Sequence, residues 1–250
     1  KGIGEAISNE LLDKDCVLFS RESYEVKSTN HTHYSLDVND GNFPEIEDIE
    51  SIIYCPGTIN LKPFRSLKDV DFQNDFDVNV KGAVKVIQHY QRPLSKAENA
   101  SIILFSTVAV TQGMPFHASI AASKGALEGL TKSLAAEFAG KIRVNCIAPT
   151  LTNTPLASGI LRNEEAVKRS NDRHPSKRIN TASDIASTAV FLLQNNNSKL
   201  KCGIIDFQSA FRGFAGWDLF SLLENSRINF TSQYNEEFIK IMEELADIMG

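Results

Sequence analysis

Apolar residues recur along this chain with two different spacings. Leu127, Leu130, Leu134 and Phe138 step by three and four, the stripe of an amphipathic helix with one buried face. Phe76, Val80, Ala83, Val84 and Ile87 mark a second helix of the same kind. Residues 5–12 form a helix-like run near the start of the chain. Short apolar runs at 15–19, 34–38, 51–55 and 100–110 have the length and content of strands, the last of them fully buried. A final stripe of Phe238, Ile241, Met242, Leu245, Ile248 and Met249 gives the C-terminal stretch a helical apolar face, suited to a self-contact or a partner.

Bulk composition narrows the setting. A chain of 250 residues suits one α/β domain around a single core. Hydrophobic content of 42% and charged content of 23% are ordinary for a soluble protein. The net charge of −5 gives no reason to expect a nucleic-acid partner. No apolar run reaches the length of a membrane span and no signal-peptide pattern opens the chain, so a cytoplasmic protein is expected. Cys16, Cys55, Cys146 and Cys202 are scattered singly without a C-x-x-C pair, which reads as reduced thiols and no zinc site.

Two stretches carry chemistry on their own terms. Lys1-Gly2-Ile3-Gly4 leads straight into a helix. A glycine turn at a helix start leaves free N–H groups and a positive dipole end, which suits a pyrophosphate. The strand at 15–19 ends in Ser20-Arg21. In a nucleotide-binding βαβ unit that end faces the adenosine ribose, and Arg21 offers a planar cation for a 2′-phosphate where an acid would favour a free hydroxyl. Separately, the small residues Ala121, Ala122, Ser123, Gly125 and Ala126 let a backbone or a flat ligand approach the helix that holds Lys124.

Ser123-Lys124-Gly125-Ala126-Leu127 resembles the active-site helix of the short-chain dehydrogenase/reductase family, whose members carry Tyr-x-x-x-Lys. The position four before Lys124 is Ile120, so the lysine is kept and the acid is absent. Other segments extend the resemblance in order. Gly2-Ile3-Gly4 is similar to the second half of the family's glycine motif, which implies that the first strand and leading glycine are missing from this sequence. Lys1 matches the basic residue of NADP-preferring members, and Asp37-Val38 the pair that meets the adenine. Tyr54-Cys55-Pro56-Gly57 keeps only the glycine of the family's Asn-Asn-Ala-Gly. Asn79-Val80-Lys81-Gly82 resembles the Asn-Val-x-Gly in which asparagine holds a helix bulge and a water leading to the lysine.

Counting thirteen residues back from Ile120, as the family places its catalytic serine, falls on Thr107, with Ser106 one step off. Arg143-Val144-Asn145 through Pro149 resembles the family's Arg-Val-Asn-x-Ile-x-Pro-Gly, with Thr150 in place of the last glycine. Thr154 matches the threonine that reaches the nicotinamide carboxamide. Residues 156–176 then correspond to the substrate lid, where Arg162, Lys168, Arg169, Arg173 and His174 suit an anionic substrate. The run 182–193 matches the last core helix, and the resemblance ends at 207.

What the resemblance implies is a doubly wound, Rossmann-like α/β fold with a parallel sheet over 1–210, followed by a helical tail at 211–250. The implied function is NADP(H)-dependent oxidoreduction of a carbonyl or alcohol by a homo-dimer or homo-tetramer, with an atypical proton donor. Lys1, Gly2, Ile3, Gly4, Ser20, Arg21, Asp37, Val38, Gly57, Lys124, Pro149 and Thr154 are the implied cofactor contacts. Asn79, Thr107 and Lys124 are the implied catalytic groups. His117, seven before Lys124, occupies the spacing at which enoyl-thioester reductases of the family hold their tyrosine, and an imidazole donates a proton near neutral pH. The alternatives are an enoyl-thioester reductase and a catalytically silent NADP(H)-binding or scaffold protein.

Overall fold

The computed structural model describes residues 1–194. The tail at 211–250, its apolar stripe and Cys202 lie outside the described residues. Strands and helices follow in chain order as α1 (Ile3–Glu10), β1 (Cys16–Ser20), β2 (His31–Ser35), β3 (Ser51–Tyr54), α2 (Asp69–Phe76), α3 (Gly82–Leu94), β4 (Ser101–Phe105), α4 (Ala109–Gln112), α5 (Ala118–Glu137), β5 (Arg143–Ile147), β6 (Thr152–Asn153), α6 (Glu164–Arg173), β7 (Asn180–Thr181) and α7 (Ala182–Gln194). Every strand pairing among the described residues is parallel. The ladders are β1–β2, β3–β4–β5 and the short β6–β7.

The centre of the molecule is β4, whose five residues are all buried. A strand covered on both faces reads as a continuous apolar run, which is why Ile102, Ile103 and Leu104 show no alternation in hydropathy. Alternation appears in what they touch. Ile102 and Leu104 join Ile52, Tyr54 and Val144 in a core closed by α3 and by Leu127 of α5. Ile103 and Phe105 point the other way, into a core closed by Ile7 of α1, by Leu11 just after it, and by Ile185, Ala186 and Ala189 of α7. Helices therefore cover both faces of a parallel sheet, the arrangement expected from the sequence. Arg143 reaches from β5 to α7, donating to Leu192 O at 2.7 Å and Leu193 O at 3.1 Å.

Several boundaries differ from the sequence reading. The strand expected at 34–38 lies at His31–Ser35, so Asp37 and Val38 follow it in a turn. There Asp37 Oδ1 accepts from Asn39 N at 2.8 Å, the local bond that makes aspartate a turn residue. The strand expected through 110 stops at Phe105, because the backbone turns into the four-residue helix α4. The first helix ends at Glu10, and β1 exposes Val17 on its open face.

Candidate active site

The C-terminal ends of β3, β4 and β5 meet the start of α1 at one edge of the sheet. Gly4 packs on Cys55, just past β3, with Cβ space of 3.4 Å. Gly2 turns with φ +67° into α1, a conformation natural to glycine, and faces Thr154 and Pro155 beyond β5. The opening N–H groups of α1 thus lie beside the threonine that the sequence singled out. No helix of the described residues is long and apolar enough to cross a membrane, and they hold no cluster of metal ligands.

Lys124 and Asn79 converge on this edge from different helices. The helical path from α2 to α3 opens into a π turn, Asp77–Lys81, with Asn79 at its middle and fully buried. The local cause is in the side chain: Asn79 Nδ2 lies 2.8 Å from Asp75 O, the acceptor that a regular helix gives to the N–H of residue 79. Tyr54 Oη donates to Val78 O at 2.5 Å and braces the bulge from β3. A Cβ on Gly82 would come within 2.2 Å of that oxygen, so a side chain there forces Tyr54 to move.

Lys124 is 7% exposed, and its Nζ donates to Phe105 O at 2.7 Å, at the end of β4. Burial pulls its pKa down to about 8, with negative charge on Cys146, Cys55 or Asp75 working against that loss. Burial pushes the Cys55 thiol up to about 12 and the Cys146 thiol up to about 11, so neither is an anion at neutral pH. Gly57 is the meeting point: a Cβ there would sit 3.5 Å from both Lys124 Nζ and Asn79 Oδ1.

The two hydroxyls after β4 are arranged differently. Ser106 Oγ donates to Glu128 Oε1 of α5 at 2.5 Å, which commits its proton. Thr107 Oγ1 accepts from Ala109 N at 3.3 Å, which leaves its own O–H to donate elsewhere. His117 is the N-cap residue of α5, and its Nδ1 bonds Pro115 O at 2.7 Å. Because that bond holds a proton on Nδ1, Nε2 is the nitrogen left to exchange one. Ile120 is buried at 5% exposure. The loop before α5 carries Phe116 at φ +69°, an uncommon backbone state for a bulky residue.

Past the end of β1, Lys1, Ser20 and Arg21 lie near one another, with one partner not foreseen. Lys1 Nζ pairs with Glu22, and both side chains are exposed. Arg21 is exposed beside them, and its carbonyl accepts from Ser35 Oγ. Ser20 Oγ donates to Glu22 O and meets His33 Nε2 at 2.7 Å. Val38 packs on the core near Gly82, and Pro149 O accepts from Val108 N at 3.3 Å. The stretch read as a lid holds α6, whose Arg169 pairs with Glu165 of the same helix.

Sequence reasoning missed Asp75, Thr58, Ser123 and Glu128. Asp75 and Ser123 were within reach of it: Asp75 lies four before Asn79 on one helix face, and Ser123 adjoins Lys124.

Residues 44–206, more than half of the chain, match a family model described as Enoyl-(Acyl carrier protein) reductase. The chain is 34% identical over 123 residues to tropinone reductase-like 3 of Erythroxylum coca, covering 49% of this chain and 47% of that protein. It is 31% identical over 140 residues to the L-xylulose reductase of Bos taurus, covering 55% and 57%. It thus spans about half the length of the curated relatives it matches. Among solved structures, ElxO with NADP bound superposes with a TM-score of 0.70 at 23% identity, over 80% of this chain and 90% of that one, a likeness of fold.

Proposed function

This chain belongs to the short-chain dehydrogenase/reductase family, and from that premise we propose an NADP(H)-dependent oxidoreductase acting on a carbonyl or alcohol substrate. The observation that carries the reading is Lys124: a buried amine at the C-terminal end of β4, beside a glycine and an asparagine whose Oδ1 has no partner. Those features suit a polar ligand entering at Gly57. Gly2, Ile3 and Gly4 would hold a pyrophosphate on the opening turn of α1. Thr154, Gly57 and Pro149 would line the nicotinamide side, and Asp37 with Val38 the adenine. Lys1, Ser20 and Arg21 would take the 2′-phosphate. When bound, the cofactor supplies or accepts a hydride.

The protein's own residues do the rest. Lys124 holds the ribose and places a cation near the reacting oxygen. The free O–H of Thr107 orients the substrate carbonyl, and the π turn fixes Asn79 behind Lys124. Position 120 offers no hydroxyl, so the proton comes from another group, and His117 Nε2 is the donor we propose. ElxO, a protein of the same fold, was solved with NADP bound, which agrees with this choice of cofactor.

Fluorescence titration with NADPH and NADH tests the cofactor. A charged hydrogen bond to phosphate is worth roughly 1.5–3 kcal/mol, about ten- to over a hundredfold in affinity. Equal affinities, or tighter NADH, would remove the assignment. Turnover on a panel of carbonyl and enoyl substrates tests the chemistry. His117→Ala should lower the rate by roughly 10²-fold. An unchanged rate rejects the histidine.

Two second readings follow from particular observations. The spacing of His117 to Lys124 favours an enoyl-thioester reductase, read as activity on the enoyl members of the panel. The buried Ile120 favours a silent NADP(H)-binding protein. No turnover in wild type or in Ile120→Tyr, with NADPH still bound, would select it.

A further inference from the structure

Six buried side-chain oxygens among the described residues make no hydrogen bond, and two of them, Asp75 Oδ2 and Asn79 Oδ1, share one network beside Lys124. Asp75 is 2% exposed and Asn79 is fully buried. Thr58 Oγ1 donates to Asp75 Oδ1 at 2.6 Å. Asn79 Nδ2 lies 2.8 Å from Asp75 O, 3.0 Å from Thr58 Oγ1 and 3.1 Å from Ser123 Oγ. Ser123 Oγ donates onward to Ile120 O at 3.0 Å. Every proton in the network is thereby committed, since an amide nitrogen carries two and each hydroxyl one. Two acceptors remain without a donor, one of them on a carboxyl group withdrawn from water. Burial of that kind is costly unless a charge or a water answers it.

The charged donor at hand is Lys124. Its Nζ and Asn79 Oδ1 both adjoin the bare side of Gly57. Asp75 of α2, Cys55 past β3 and Cys146 of β5 are the titratable groups that act on it. Glu128, one turn further along α5, is taken by Ser106, and Asp71, one turn back along α2, is paired with Lys62 at 2.6 Å. His117, two turns back, is bonded to Pro115 O. With both thiols protonated at neutral pH, the Asp75 carboxylate is the counter-charge that remains.

We propose that Asp75 is a positioning residue for Lys124: its carboxylate is the buried counter-charge of the ammonium, linked to it through a water held between Asp75 Oδ2 and Asn79 Oδ1. The inference deepens the reading above and rests on it in taking Lys124 as the group that meets cofactor and substrate. Asp75 itself touches neither. Its action is to keep the amine charged and aimed in a place where burial alone would discharge it.

The test reads Lys124 directly. In protein labelled with ¹³C-lysine, the Lys124 side-chain resonance is assigned by its loss in Lys124→Met and titrated in wild type and in Asp75→Asn. Asp75→Asn keeps the shape while removing the charge, and should lower the Lys124 midpoint by about one pH unit or more, a tenfold loss of proton affinity. An unchanged midpoint overturns the proposal. A high-resolution crystal structure of the wild type gives a second measurement that needs no variant. It should show a water within hydrogen-bond distance of both Asp75 Oδ2 and Asn79 Oδ1; direct contact between the two side chains with no water overturns the proposal. Neither readout depends on turnover. A protein without activity whose Lys124 midpoint still moves in Asp75→Asn keeps this role and loses the oxidoreductase reading, and an active protein with an unmoved midpoint does the reverse.

Discussion

The two ends of the proposed cofactor cleft are built on opposite physical terms. At the Lys124 end the polar groups are largely withdrawn from water: Lys124 bonds Phe105 O at the end of β4, and Asn79, Ser123, Thr58 and Asp75 form one network beside it. At the Lys1 end the charges are exposed, and Lys1 already has a partner in Glu22. Water screens the second set and not the first. The lesson is that the buried end fixes geometry and protonation, while the exposed end sets a preference that salt or a neighbouring charge can change.

The largest expected effect breaks the buried end outright. Lys124→Met should lower turnover by at least roughly 10²-fold, the scale of a positioned acid–base group, and weaken NADPH binding in a folded protein. Steady-state kinetics with a parallel titration would check it, and unchanged affinity would return Lys124 to a merely structural role.

Next comes the brace behind that end. Gly82→Ala would push a methyl into Tyr54 Oη and Val38. Overpacking of this kind costs about 1–3 kcal/mol, to be measured by urea denaturation. Tyr54→Phe removes only the bond to Val78 O and should cost about 1 kcal/mol.

A pH series sharpens the contrast without touching activity. Lys124 titrates near 8 when folded and near its ordinary 10.5 when unfolded, so the unfolded chain binds more protons between those values. The burial penalty is complete below about pH 8 and fades as pH rises toward 10.5. Lys124→Met removes the penalty, so the variant should be the more stable protein at pH 7, by a margin that shrinks across that window. Denaturation midpoints of both proteins at pH 7, 9 and 10 would show it, and a margin that grows with pH would reverse the assignment.

The smallest effect belongs to the exposed end. Glu22→Gln releases Lys1 and should raise the preference for NADPH over NADH a few-fold, more at low salt than at high salt. A ratio that does not move would mean that Lys1 does not reach the phosphate.

Part of the candidate site was legible in the sequence, through the family resemblance and through patterns local to particular residues. Lys124 among small residues, the glycine turn at Gly2, and Asn79 inside a helical stripe are local patterns, and each is where the sequence placed it. Strand ends were less legible: 100–110 stays apolar past Phe105, and hydropathy alone does not tell a strand from the short helix that follows. Asp75 was missed because an aspartate on a helix face is usually solvated, and the rest of its surroundings comes from Thr58 and Ser123, which are distant in sequence.

The sequence by itself determined the main helices and strands, because periodicity and glycine placement act over a few residues, while the doubly wound fold and the residue types at the candidate site were legible through the family resemblance. The tertiary structure decided charge and partnership. It buried Lys124 and drew its pKa down, turned Ser106 toward Glu128 and left the Thr107 proton free, and paired Lys1 with Glu22. Those outcomes depend on desolvation and on contacts across tens of residues, which no local pattern encodes.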